Sequence, residues 1–381
     1  MATNQDGIPI AYFEPPNSLL RMDNATYGGL ITIGCLATLS VLFTSSLLSF
    51  ISWRMIAWKS HYTTFIGRNQ PLVLIYQLIL ADFLQSLGFL LSFHWASNRE
   101  IVGPNGECFA QGWLIQLGDV ASAFFVLAIA VHTTYQVTFS RSVSYPVFVY
   151  SILGVWSFSV LLTSLAPIIG GRYIFLRAGM WCWISSEHES MRLLLHYLWI
   201  FIVQFLSIIV YMYGFYHLYR PNRPGAIRIK GSSETAVRRA STAMLAYALV
   251  YTLLTLPLAA GRMAAMSSDT LPEQYYLFAG ALFTSSGWVD TVLYAITRRT
   301  LLFKELTSND QPAGPRSGRS ANLPTRHGST DSILAQAGFG HSGIVMDRTV
   351  KVELDDLESH GGSEHEGKSY FVSAKALRNK D

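Results

Sequence analysis

The chain has 381 residues, is 50% hydrophobic and only 14% charged, and carries a formal net charge of +4. Soluble domains average roughly 25% charged residues. A mean hydropathy of +0.30 therefore excludes an ordinary soluble globular protein and points to a membrane.

In chain order, the first residues, MATNQDGIPIAYFEPPNSLL, are polar and proline-containing. They lack a basic start and an apolar run, so no cleavable signal peptide is expected and the first apolar helix does the targeting. Residues 1–26 are assigned as an N-terminal segment outside the cell. Asn24-Ala25-Thr26 fits the glycosylation pattern, but its closeness to the first helix argues against use. Seven apolar stretches follow, at approximately 27–53, 71–96, 108–140, 145–169, 192–219, 239–265 and 273–297. About 20 apolar residues suffice to cross a bilayer as a helix. The expected fold is therefore all-α: a seven-transmembrane helix bundle over 27–306. Residues 307–381 have no apolar periodicity and read as a disordered cytosolic tail.

Basic residues concentrate in alternate loops, which orients the bundle under the positive-inside rule. One set of loops holds Arg54, Lys59, Arg68, Arg141, Arg220, Arg223, Arg228, Lys230, Arg238, Arg239, Arg298, Arg299 and Lys304. The other set holds only Arg21, Arg99, Arg172, Arg177, Arg192 and Arg262, together with most of the acids of the core. The expected orientation is N-terminus outside and C-terminus in the cytosol, in the plasma membrane.

Of three cysteines, Cys35 falls inside the first helix and reads as a buried apolar residue. Cys108, at the outer end of the third helix, and Cys182, in the loop after the fourth, share the oxidising side, where disulfides persist. Their bond would pin the loop, with Trp181 and Trp183, across the mouth of the bundle.

Three acids fall within spans: Asp82, Asp119 and Asp290. Intramembrane charges are costly and point to function. At 1.5 Å per residue, Asp82 lies about 17 Å from the inner end of its helix and Asp119 about 17 Å below Cys108. Gln85 and Ser86 share a face with Asp82. Gln116 and Ser122 share one with Asp119, and Ser286 and Tyr294 share one with Asp290. Such stripes are satisfied by facing one another or water. A cluster of acids either keeps a proton or holds a cation such as Na⁺; interhelical hydrogen bonding without an ion is the plainer alternative. Asp82, Ser122, Asp290 and Tyr294 form the candidate switch. Pro257 joins them because proline kinks a helix and lets it pivot. Arg262, near the outer end of the sixth helix, either snorkels to the surface or faces a pocket and meets an anionic ligand. The candidate ligand contacts are His94, Trp95, Gln116, Asp119, Trp183, His196 and Arg262.

Several of these segments resemble G-protein-coupled receptors. Ala81-Asp82 resembles the acid site of the second helix. Asp290-Thr291-Val292-Leu293-Tyr294 resembles the N/D-P-x-x-Y switch, with Thr for Pro, and the cysteine pair matches as well. The third helix reads His132-Thr133-Thr134-Tyr135 where an acidic-Arg-Tyr triplet is usual, and the sixth lacks a Trp before its proline. These departures argue against the rhodopsin-like class proper. A closer resemblance is to the fungal cyclic-AMP-receptor-like group, related to slime-mould cyclic AMP receptors and fungal glucose-sensing receptors. It rests on 80–88, 255–262, Gly287-Trp288-Val289-Asp290 to Tyr294, and Thr297-Arg298-Arg299, and covers the core but not the tail.

That resemblance implies a receptor for an extracellular small molecule: a nutrient, a cyclic nucleotide or a metabolite. It implies a heterotrimeric G protein as partner, with cyclic AMP signalling downstream. Arg141, Arg220, Arg238, Arg239, Arg298 and Arg299 are the expected G-protein-facing residues; the basic third inner loop would also attract anionic lipid. Neither enzymatic activity, cofactor, metal nor nucleic-acid partner is expected. The alternatives are a seven-helix transporter and a membrane-embedded hydrolase. Transporters usually show inverted repeats, which are not visible here. A hydrolase needs clustered ligands, whereas His94, His132 and His196 sit on three helices at different depths. A retinal protein needs a lysine in the seventh helix, and 273–297 contain none.

Overall fold

The computed structural model describes residues 8–57, 66–139, 141–171, 173–219, 249–265 and 271–296. Arg220, Arg238, Arg239, Arg298, Arg299 and the segment 307–381 lie outside the described residues. Helix α1 is Asn24–Ile56, α2 is Gln70–Leu90, α3 is Gly106–Phe139 and α4 is Tyr145–Gly170. Helix α5 is Leu198–Tyr219, entered through a π-turn at Leu193–Tyr197. Helix α6 is Leu249–Ala265. Helix α7 is Glu273–Thr284, continuing after a turn at Ser285 as 286–296. A short helix, Ser92–Asn98, extends α2 after a break at Leu91. Among the described residues, five stretches are long and apolar enough to cross a membrane: Asn24–Ile56, Gln70–Asn98, Gly106–Gln136, Tyr145–Gly170 and Ser186–Gly214.

Local chemistry sets the helix starts. Asp23 caps α1 by accepting from the Thr26 N–H at 3.2 Å. This bond holds its carboxyl below the usual carboxylate range. Asn69 caps α2, with Pro71 in the first turn, and Asn105 accepts from the Cys108 N–H at 2.7 Å. Such caps satisfy N–H groups that have no partner inside the helix. At Ser285 the α7 ladder is interrupted. The side chains of Thr284 and Ser285 bond back to the carbonyls of Gly280 and Ala281, a pattern that bends helices.

Helix α3 is the axis of the bundle. It packs against α2, α4, α5 and the loop hairpin, and 67% of its apolar window is buried, against 22% for α4. Tyr150, Ile168 and Ile169 of α4 point outward, as expected where lipid replaces water around apolar side chains. Gly118 sets the α2–α3 distance, since a Cβ there would lie 2.6 Å from the Gln85 backbone nitrogen. Cys35 corrects its expected burial: it is exposed, because its helical position falls opposite the buried stripe of Leu30, Ile33, Ala37, Ser40 and Thr44.

Between α4 and α5 the chain forms an antiparallel hairpin, β1 (Phe175–Arg177) with β2 (Cys182–Ile184), in the register Phe175↔Ile184, Leu176↔Trp183 and Arg177↔Cys182. The disulfide Cys108–Cys182 ties it to the top of α3. Gln111 adds a second tie. Its Oε1 accepts from the Cys182 N–H at 2.8 Å and from the Trp95 indole at 2.8 Å, while its Nε2 donates to the Gly88 carbonyl. The N-terminal segment crosses the same hairpin: Asn17 accepts from the Arg177 N–H, and Leu19 pairs with Ile101. The loop is thus held as a lid over the helix ends.

Candidate functional site

Beneath the hairpin lies a narrow cavity that is partly open to its surroundings. Its lining comes from Ile115 and Asp119 of α3, Trp181 and Trp183 of the hairpin, His196 and Tyr197 of the π-turn, and Ile200 of α5. Thr255, Leu258, Ala259 and Arg262 of α6 and Phe283 of α7 complete it. Few polar groups among aromatic and aliphatic walls is the usual make-up of a small-molecule site.

The polar groups are held from behind. His196 Nε2 lies 2.8 Å from Asp119 Oδ2. The indole of Trp183 donates to Gln116 Oε1 at 2.8 Å, and Gln116 Nε2 donates to the Leu195 carbonyl at 2.9 Å. The π-turn directs both His196 and the Leu195 carbonyl toward α3; such turns recur at functional sites. Trp183 meets the rings of His196 and Tyr197 edge-on, at 4.9 Å and 5.4 Å. Arg262 donates to the Ala178 carbonyl at 2.5 Å and sits over the Trp181 and Tyr276 rings. Gly179, at φ +84°, makes that approach possible: a Cβ there would lie 3.1 Å from the guanidinium.

The expected ligand contacts therefore separate. Asp119, Trp183, His196 and Arg262 line the cavity. Gln116 stands behind Trp183 rather than in the lining. Trp95 is buried and bonded to Gln111, away from the cavity. His94 is exposed and bonds Asn98, because the buried positions Gln85, Phe89, Ser92 and Ala96 keep one helix face across Leu91 and position 94 falls opposite it. Snorkelling by Arg262 is corrected too: the side chain turns inward and is 8% exposed.

One turn below Asp119, Ser122 donates to Asp82 Oδ1 at 2.8 Å. Asp290 is buried beside Asp82 and interacts with it electrostatically, and Asp82 Oδ2 and Asp290 Oδ1 are buried with no hydrogen-bond partner. Ser286 bonds Gln85 at 3.3 Å, and Ser40 of α1 donates to the Thr284 carbonyl at the α7 turn. Asp82, Ser122 and Asp290 are thus brought together, while Asp119 is separated from them by its bond to His196. Pro257 lies in α6, its carbonyl accepting from the Tyr275 hydroxyl at 2.6 Å. Tyr294 is buried in the core of the opposite end. Arg141 is exposed just before α4. Among the described residues, no three His, Cys, Asp or Glu side chains converge as a metal site would require.

Tyr251 was not singled out from the sequence. It is buried, its hydroxyl has no partner among the described residues, and it lies in the field of Asp119, Asp82 and Asp290. The signal was present: Tyr251, Thr255, Leu258 and Arg262 follow the spacing of one helix face. Trp181 was expected over the mouth beside Trp183, whereas Tyr197 and Phe283 carried no such signal, since only the π-turn and the α7 turn bring them to the cavity.

Comparison with known proteins agrees with this geometry. The family described as 7 transmembrane receptor (rhodopsin family) matches residues 62–294. Ascaroside receptor GPR2 of Arthrobotrys oligospora is 26% identical over 185 residues, 45% of this chain and 43% of that protein. The chain thus spans less than half the length of this curated relative. A crystal structure of squid rhodopsin shares the fold, with a TM-score of 0.54 at 17% identity over 76% of this chain and 86% of that one. The expectation that His132-Thr133-Thr134-Tyr135 and Thr291 set the chain outside the rhodopsin-like class is overturned. The family match runs through both segments, so the helix framework, not those short motifs, carries membership. With more than half its length inside that match, the chain belongs to the rhodopsin family of seven-transmembrane receptors, a family of receptors rather than enzymes.

Proposed function

We propose that this protein is a G-protein-coupled receptor that senses a small molecule outside the cell and activates a heterotrimeric G protein. The observation that carries the reading is the stacking of two sites on α3. Asp119 lines the cavity, and Ser122, one turn further along, bonds Asp82 beside Asp290. A ligand that binds one arrangement of the cavity more tightly biases the equilibrium between arrangements of the helices. Movement of α3 against α5 alters the Ser122–Asp82 contact directly, and α6 pivots near Pro257.

The positive-inside bias supports an extracellular N-terminus and a cytosolic C-terminus in the plasma membrane. Arg141 and the basic loop 220–239, with Arg298 and Arg299, are the proposed G-protein-facing residues. The resemblance to the cyclic-AMP-receptor-like group supports an output through cyclic AMP. The ligand belongs among nutrients, cyclic nucleotides and metabolites, and the name of the Arthrobotrys relative adds ascarosides to the set worth testing. The test is guanine-nucleotide exchange on a co-expressed fungal Gα during a screen of those classes. An agonist that raises exchange supports the reading. Solute flux without exchange would favour a transporter.

A further inference from the structure

We propose that the cavity beneath the β1–β2 hairpin takes a small carboxylic acid with an apolar body, its carboxylate seated on Arg262. This rests on the reading of the cavity as the ligand site and adds the chemistry of what enters it.

Arg177 pairs with Glu273 at 3.3 Å and Arg192 with Glu189 at 3.1 Å. Arg262 has no carboxylate partner among the described residues, although it is 8% exposed and lines the cavity. Of five N–H donors on a guanidinium, one is assigned, to the Ala178 carbonyl. A buried cation without a counter-ion is costly, and cation–π contacts with Trp181 and Tyr276 offset only part of that cost.

The surroundings add to the positive field. Arg192 and Arg262 repel each other. Arg192 Nη2 and His196 Nδ1 are buried with no hydrogen-bond partner. Asp119, the carboxylate in the lining, is already bonded to His196. The acid in the lining is thus occupied, which leaves Arg262 as the arginine that faces the cavity. Trp181, Phe283, Leu258 and Ala259 form apolar walls beneath. A planar carboxylate fits a guanidinium edge with two parallel bonds, and an apolar body fits those walls.

The test uses the full-length receptor in lipid nanodiscs, with octanoate and decanoate as probes and octanamide and decanamide as neutral matches. Binding is read as a ligand-dependent rise in unfolding temperature. The acids are expected to stabilise the unmutated receptor at least about tenfold more potently than the amides, and Arg262→Gln to remove that preference. Equal potency of acids and amides, an undiminished preference in Arg262→Gln, or no stabilisation by either acid would overturn the proposal. Arg262→Gln also loosens the link to Ala178, so the acid-to-amide ratio in the unmutated protein decides by itself. No G protein enters the measurement, which keeps its failure distinct from a failure of coupling.

Discussion

His196 and Asp119 join the π-turn before α5 to α3 through a 2.8 Å contact buried under the hairpin lid. It is the one polar side-chain pair that bridges these two elements within the cavity lining. Removing one partner leaves the other buried and unpaired, which costs about 3 kcal/mol in comparable sites. Asp119→Asn and His196→Phe are each expected to lower the unfolding temperature of purified receptor. The double variant is expected to lose less than the sum, because the two groups share one interaction. Additive losses would show that the contact carries no coupling.

Gln111 holds the lid as much as the disulfide does. Gln111→Leu strands the Cys182 N–H and the Trp95 indole, each at about 1–3 kcal/mol. Replacing Cys108 and Cys182 by Ser is expected to cost about 2–5 kcal/mol. Thermal unfolding measures both. A Gln111→Leu receptor as stable as the unmutated one would contradict this account of the lid.

Gly118 is a packing requirement beside the switch. Its added Cβ in Gly118→Ala would meet backbone atoms of α2, the Gln85 nitrogen at 2.6 Å and the Ala81 oxygen at 2.8 Å. Backbone on both sides leaves little to yield, and overpacking of this kind costs about 1–3 kcal/mol. Gly28, where an added Cβ meets nothing within 4 Å, serves as the control: Gly28→Ala is expected to raise stability slightly, by about 0.5–1 kcal/mol, through helix propensity.

Much of the framework was legible in the sequence because a bilayer imposes strong rules. Span length and the Cys108–Cys182 pair were readable at once, and the polar stripes of α2 and α3 meet where Ser122 donates to Asp82. What failed depended on breaks in helix regularity. The π-turn at 193–197 brings His196 in line with Asp119. No periodicity argument contains such a break. The fate of Arg262 was likewise decided by Gly179, far away in sequence, whose positive φ lets the hairpin backbone reach the guanidinium.

The Tyr275 hydroxyl donates to the Pro257 carbonyl, joining α7 to α6 at the proline. Tyr275→Phe removes a bond worth about 1 kcal/mol. If α6 pivots there, the variant is expected to show higher agonist-independent nucleotide exchange at equal surface expression. Unchanged exchange would remove Pro257 from the mechanism.

In the proposed mechanism the Asp82–Ser122–Asp290 cluster governs activation of a G protein. The most direct measurement is guanine-nucleotide exchange on a fungal Gα in membranes containing the unmutated receptor, the Asp82→Asn, Asp290→Asn double variant, or no receptor. The account predicts exchange above the receptor-free level for the unmutated protein and a clear change for the double variant at matched surface expression. Identical exchange with the unmutated and double-variant receptors would contradict it.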